Sequence, residues 1–270
     1  MSSVRLLRIC VALAAVGAIA LPASASAAPV LTLSGSTSVA PLASLLARGY
    51  LKANPGAVKF KLAQGGSDVG VADVAAGRVS IGMSSRDPKI GIDRGVSFNK
   101  IAKDGICVIT NNSNPITDLS QAQIKSIFGG GVRDWSDITG SPISGAIDVT
   151  VRTAASGTQD AFQKIFLGTT SVTSAAAQKA SNGLIQQAVK SNKNAVGYVS
   201  MDFTDGVNAA AYNGIPCNLR NAKSGEYGGV RNFWMVTRGP AAGNTKKFIS
   251  WVQNSAAAAA IIGSHWVPFK

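Results

Sequence analysis

Ile147-Asp148-Val149-Thr150-Val151-Arg152-Thr153-Ala154-Ala155-Ser156-Gly157-Thr158-Gln159-Asp160-Ala161-Phe162 joins a β-branched run to a helical one through a turn of small residues. The β-branched residues predict a strand over 147–151. Ser156, placed before the amphipathic stretch, predicts the start of a helix over 159–166. A strand feeding a helix in this way is the repeating unit of an α/β protein. The junction also carries chemistry. A helix start presents orphan N–H groups and a partial positive charge, so it attracts anions. Gly157 lets a ligand approach the backbone, Ser156 and Thr158 add hydroxyl donors, and the Arg152 guanidinium matches an oxyanion in a planar, bidentate way.

The same unit recurs on either side. Strands are expected over 30–33, 58–62, 79–83, 105–110 and 195–199, and helices over 39–53, 69–76, 120–128 and 245–260. The Ala-rich segments at 175–180 and 256–260 read as ordinary helix. No internal repeat or Pro-rich linker interrupts the pattern. Two further strand-to-helix turns are rich in hydroxyls, Ser34-Gly35-Ser36-Thr37-Ser38 and Gln64-Gly65-Gly66-Ser67. One serine before a helix is ordinarily a cap. Three such helix starts and an arginine at a strand end form a pattern that capping alone does not explain.

Residues 1–27 have the layout of a secretory signal. Arg5 and Arg8 are followed by an apolar run to Leu21, and Ala25-Ser26-Ala27 offers a cleavage site. The run is short for a membrane span, which needs about 20 apolar residues; a retained anchor is the alternative. Cys10 stands at the start of the run, not beside the cleavage site, which argues against a lipid-anchored cysteine. The expected location is therefore periplasmic or secreted, after cleavage near Ala27. Beyond the signal, Cys107 and Cys217 remain; in an exported chain they form either one disulfide or two separate buried thiols. The chain has 26 Lys and Arg against 13 Asp and Glu, a net charge of +13. That balance favours anionic partners, but the basic residues are dispersed, with no tract of the kind a nucleic-acid arm shows.

At this point the residues resemble a family. Gly35-Ser36-Thr37-Ser38-Val39-Ala40-Pro41-Leu42 is similar to the first anion loop of the phosphate-binding proteins of ABC importers, within the periplasmic binding protein-like superfamily. Gln64-Gly65-Gly66-Ser67 resembles their second loop, and Ile81-Gly82-Met83-Ser84-Ser85-Arg86 the strand end that follows. The most specific match is Arg152-x-x-x-Ser156-Gly157-Thr158-x-Asp160-x-Phe162. Phe128-Gly129, Trp135-Ser136 and Val196-Gly197-Tyr198-Val199-Ser200 also resemble family segments, so the likeness covers nearly the whole mature chain.

The resemblance implies an α/β, two-lobed periplasmic binding protein-like fold, its lobes joined by crossover hinge strands. Residues 28–106 and 204–270 would form lobe one, and 107–203 lobe two. Thr37, Ser38, Ser67 and Ser85 would approach an anion from lobe one, and Arg152, Ser156, Gly157 and Thr158 from lobe two. The implied ligand is inorganic phosphate or a related oxyanion, the implied partners are membrane permease subunits, and the expected state is a monomer without cofactor or metal. One departure bears on selectivity. Ser85 stands where family members carry a carboxylate that accepts the proton of hydrogen phosphate, leaving Asp68 and Asp87 as nearby candidates for that role.

Other functions have less support in the residues. His265 is the only histidine and no Gly-x-Ser-x-Gly motif occurs, which excludes a histidine triad and leaves no evident acid–base pair. Trp135, Trp234, Trp251 and Trp266 are not interleaved with basic residues, as a base-stacking surface would require. A non-transport use of the same fold, as an extracellular phosphate scavenger or adhesive surface protein, is the main alternative.

Overall fold

The positions of the hydroxyl-rich turns follow from where the strands stop. The structure is a computed structural model that describes residues 28–139 and 141–270; the signal expected over 1–27 lies outside them. In chain order the elements are β1 (Val30–Gly35), α1 (Ala40–Ala53), β2 (Lys59–Gln64), α2 (Ser67–Ala75), β3 (Ile81–Ser84), β4 (Val96–Thr110), β5 (Asp118–Leu119), α3 (Gln121–Gly129) and β6 (Asp148–Arg152). Then come α4 (Gly157–Phe162), β7 (Ala177–Lys179), α5 (Asn182–Ser191), β8 (Ala195–Ser200), β9 (Asn208–Ala209), β10 (Ala211–Tyr212), α6 (Leu219–Ser224), β11 (Val230–Arg238), α7 (Gly243–Asn254) and α8 (Ala256–His265).

The main sheet runs β2-β1-β3-β11-β4-β8-β6-β7, with β9 beside β4; a small second sheet pairs β10 with β5. β1, β2 and β3 are parallel, as are β6, β7 and β8. β4 links the two sets. Its first part, from Val96 to Gly105, pairs antiparallel with β11, and its second, from Ile106 to Thr110, pairs antiparallel with β8. A single 15-residue strand thus passes from one α/β lobe to the other. The architecture is the two-lobed one, with strands crossing between lobes.

Each lobe has its own core. On one face of the first sheet, α1 brings Leu42, Leu46 and Tyr50 against Phe248 of α7 and Trp266 just past α8. On the other face, Val71 and Val74 of α2 cover Val236. In the second lobe Phe128, Trp135, Phe162 and Phe166 fill one face. Ile185 and Val189 of α5 cover the other, against Ile109 and Val199. These aliphatic and aromatic side chains are fully or almost fully buried, and their removal from water is the main stabilising term of each lobe.

Several elements differ from the sequence expectation. The expected helix over 245–260 is two helices, because Ser255 leaves the helical conformation and its hydroxyl caps α8 by accepting from Ala258 N. The Ala-rich stretch at 175–180 is not helical: Ala177, Gln178 and Lys179 pair in parallel with Thr150, Val151 and Arg152 of β6. Tertiary strand pairing overrides alanine's helical preference there. α2 begins at Ser67, two residues earlier than expected, and α4 opens at Gly157 and ends in a π-turn over Gln163–Leu167. α5 and β11 carry no expectation from the pattern of the sequence, and both contribute to the site. Cys107 and Cys217 are joined by a disulfide, with Cα atoms 5.6 Å apart. No helix among the described residues is long and apolar enough to cross a membrane.

Candidate functional site

The turns that follow β1, β2, β3 and β6 converge where the two lobes meet. In the first, the Ser36 hydroxyl accepts from Ser38 N and Val39 N at 3.2 and 3.3 Å, closing the turn before α1. Its own hydrogen is donated to Ser85 Oγ at 2.9 Å. In the second, Gly66 has φ +101, a conformation that favours glycine, and a Cβ there would come 2.7 Å from the Ala155 carbonyl oxygen of the opposite lobe. Ser67 follows and accepts from Ser85 N at 3.0 Å; the hydroxyls of Ser67 and Ser85 lie 3.3 Å apart.

From the other lobe, the Ser156 hydroxyl caps α4 by accepting from Thr158 N and Gln159 N at 3.1 and 3.3 Å. Gly157 packs so closely on Ser67 Oγ and Arg86 N that any side chain at 157 would meet them. Asp68 N donates to the Ala155 carbonyl at 3.1 Å, and Ser38 Oγ and Thr158 Oγ1 share a 3.0 Å hydrogen bond. The lobes are therefore in contact through the residues read as anion ligands. Thr37, Ser38, Ser67, Ser85, Arg152, Ser156 and Thr158 are all buried, and together with Gly157 they form one cluster.

Arg152 is the charged centre. Its guanidinium donates to Thr37 Oγ1 at 3.1 Å, Thr158 Oγ1 at 3.4 Å, and the carbonyls of Lys179 and Ala180 at 3.3 and 2.8 Å. The edge strand β7 thus holds the arginine in place. Tyr198, stacked on Phe162 with ring centroids 3.8 Å apart, accepts from Arg152 N and donates to Gln159. Burial lowers the Arg152 guanidinium to about 10, and the nearby Arg231 charge adds to the fall while Tyr198 opposes it. Among the described residues no carboxylate pairs with Arg152. A buried guanidinium partnered only by neutral acceptors favours an anion beside it.

Three residues that sequence reasoning missed complete the cluster. Arg231, on β11, donates to Ser38 Oγ at 2.9 Å and pairs with Asp104 of β4 at 2.8 Å. Asp104 Oδ2 also accepts from Ser200 Oγ at 2.9 Å. Burial pushes the Asp104 carboxyl up, with the charge and hydrogen bonds of Arg231 and the Ser200 hydroxyl opposing. Asn182, the first residue of α5, donates to Thr37 Oγ1 at 3.1 Å and to Ser38 Oγ at 2.8 Å. Its helix start had a legible signal, since Ser181 caps α5 by accepting from Leu184 N. Arg231 and Asp104 had none, because only strand pairing brings them to the site.

Asp68 and Asp87 are occupied elsewhere. Asp68 binds Arg86 at 2.5 Å and Lys89 at 3.2 Å, and Asp87 accepts from Asn232 and Trp234 at 2.9 and 3.1 Å. A cavity of about 350 Å³ opens beside the cluster, lined by Ser85, Arg86, Lys103, Lys164 and Arg231 among others. Its lining carries four basic side chains against two acidic ones, Asp87 and Asp160.

Two α/β lobes meeting on a hydroxyl-lined, arginine-centred cleft define a solute-binding protein of the hinged class. The family model described as PBP superfamily domain matches residues 22–256, and the chain belongs to that superfamily. Phosphate-binding protein PstS of Bacillus subtilis (strain 168) is 28% identical over 229 residues, 83% of this chain and 75% of that protein. A Clostridium perfringens structure with bound phosphate, assigned as a phosphate ABC transporter substrate-binding protein, superposes with a TM-score of 0.83 at 32% identity, over 89% of this chain and 100% of its own. An ABC-type phosphate transport receptor from Vibrio cholerae gives 0.71 at 27% identity, over 88% and 99%.

Proposed function

We propose that this chain captures phosphate in the interlobe cleft and delivers it to an ABC-type permease from the extracytoplasmic side of the membrane. The observation that carries this reading is Arg152, a buried guanidinium without a carboxylate partner among the described residues, which spans the two lobes through Thr37. Around it Thr37, Ser38, Ser67, Ser85, Ser156, Gly157 and Thr158 act as ligand-binding groups through hydroxyls and backbone N–H groups. The phosphate named for the relatives supports the choice of ion. The N-terminal signal pattern supports export, and a single chain supplies both sides of the cleft, consistent with a monomer.

The lobes open and close about the strands that cross between them. Residues 28–106 form the core of lobe one and 107–203 that of lobe two. The stretch 204–229 moves with lobe two, since β9 pairs with Ile109 and Thr110 and β10 with β5, and β11 returns the chain to lobe one. Calorimetric titration with phosphate, sulfate, arsenate and molybdate at two pH values tests the assignment. Phosphate and its isostere arsenate are expected to bind. If another oxyanion binds and phosphate does not, the ligand is wrong; if none binds, the proposed function fails.

A further inference from the structure

Resting on this reading of the cleft, we infer that Asn182 and Arg231 are specificity-determining residues, which together with Arg152 leave Thr37, Ser38 and Thr158 no lone pair to offer the ligand, so that only the hydroxyl hydrogens of Thr37 and Thr158 face it. The inference follows from hydrogen-bond valence. A hydroxyl has one hydrogen and two lone pairs, whereas a guanidinium and an amide NH₂ can only donate.

The orientation of Asn182 is settled by its surroundings. Ser200 N, an obligatory donor, points at Asn182 Oδ1 at 3.1 Å, so the NH₂ end faces the cluster. Its two hydrogens reach Thr37 Oγ1 and Ser38 Oγ. Thr37 Oγ1 also accepts from Arg152 Nη2, and Ser38 Oγ from Arg231 Nη2. Both lone pairs of each hydroxyl are then occupied. Thr158 Oγ1 accepts from Arg152 Nη1 and shares a hydrogen with Ser38. Five of the six lone pairs on these three oxygens meet N–H donors, and the Ser38–Thr158 bond takes the sixth. Two hydroxyl hydrogens are left to face the ligand, and no lone pair.

Such a surface accepts only deprotonated oxygens. An O–H of the ligand turned toward it would set two donors against each other and leave a buried hydrogen without a partner. The position of a protonated oxygen is thereby restricted to the Ser67–Ser85 side. There Ser85 can donate to Ser67 and keep one lone pair free, since Ser36 fills only the other. Asp104 acts behind the triad as a positioning residue, holding Arg231 through Nε and Nη2 at 3.1 and 2.8 Å. The charged or titratable groups facing the triad are Arg152, Arg231, Asp104 and Tyr198; burial raises the Tyr198 phenol to above its ordinary value and keeps it neutral.

Asn182→Asp reverses the polarity: its inner oxygen still accepts from Ser200 N, while the outer one draws the hydrogens of Thr37 and Ser38 inward. Hydrogen phosphate and sulfate are both dianions and feel the added charge alike, so their affinity ratio isolates the polarity change. Titration of each ion above the second ionisation of phosphate should show the ratio of phosphate to sulfate affinity rising by about tenfold or more over the wild-type chain. An unchanged ratio overturns the inference. The wild-type chain supplies an independent reading should the variant not fold. Its affinity should follow the dianion, with dihydrogen phosphate at least roughly tenfold weaker because its second O–H has no acceptor. Equal affinity for both phosphate species also overturns the inference. Failure of the wild-type chain to bind phosphate at all would instead overturn the proposed function.

Discussion

Arg152 Nη2 donates to Thr37 Oγ1 at 3.1 Å, joining residues 115 positions apart that belong to different lobes. The bond places the principal cation of the cleft in direct contact with a hydroxyl of the opposing turn. Contact between the lobes thus brings Arg152 onto the hydroxyl-rich turn after β1.

Arg152→Ala should lower phosphate affinity by roughly a hundredfold or more, since it removes a buried positive charge and the one N–H, on Nη1, that its protein partners leave free. Arg152→Lys should recover only part of this loss. An ammonium carries the charge but cannot span Thr37, Thr158 and the Lys179 and Ala180 carbonyls together. Calorimetry measures both; unchanged affinity in Arg152→Ala would place the site elsewhere.

Ser85→Ala removes a cleft hydroxyl that keeps a lone pair free when it donates to Ser67. Phosphate affinity should fall about tenfold while sulfate affinity holds or rises, because sulfate brings no proton to be accepted. Competition between the two ions gives the ratio directly. Equal losses for both would show that Ser85 acts only as a donor.

At Gly157 a single methyl group is enough to test closure. Gly157→Ala sets a Cβ against Ser67 Oγ and 2.8 Å from Arg86 N, atoms of the opposite lobe. The separate lobe cores are untouched, so the variant should fold with a near-native Tm. Phosphate affinity should nevertheless drop by at least about tenfold. The compaction that phosphate induces, followed by small-angle scattering, should be reduced.

The Cys107–Cys217 disulfide ties β4 to the segment before α6 and spans 110 positions. In the chain-entropy account a loop of that length contributes at most about 4–5 kcal/mol. Cys107→Ser with Cys217→Ser, or reduction of the native chain, should lower Tm clearly. Phosphate affinity at moderate temperature should change little, because neither residue touches the cleft. Loss of binding without loss of Tm would contradict this division.

Acid should loosen the turn after β3. Burial alone would push the Asp93 carboxyl up, but the Arg86 hydrogen bond, the Lys89 N–H and both nearby charges hold it below its ordinary value of 3.8. A carboxyl with a depressed folded value stabilises fully above its unfolded value and loses that contribution as pH falls through the folded one. Asp93→Asn should therefore cost stability at neutral pH and flatten the decline of stability below about pH 4. Urea unfolding across that range measures the slope; identical slopes would remove Asp93 from the account.

Much of the α/β pattern is legible in the residues because its signals are local. The strands before Ser36 and Ser67, the capping box of Ser120 and Gln123, and the Ser156 cap depend on neighbours a few positions away. The same reasoning fails where distant partners compete with local preference. Ala177–Lys179 prefers helix in isolation, yet it becomes the strand whose carbonyls hold Arg152. The alanines of 256–260 are helical as expected, but Ser255 caps them as a separate element.

The eight residues read as anion ligands share a local signature, since each lies near a strand end or helix start, where local sequence governs exposed N–H and hydroxyl groups. What those hydroxyls can do was decided only by folding. Asn182 meets Ser38 from 144 positions away, Arg231 from 193, and Asp104 meets Arg231 across 127. A hydroxyl donates or accepts according to the partners around it. Its residue type sets its capacity, and the tertiary structure sets its direction.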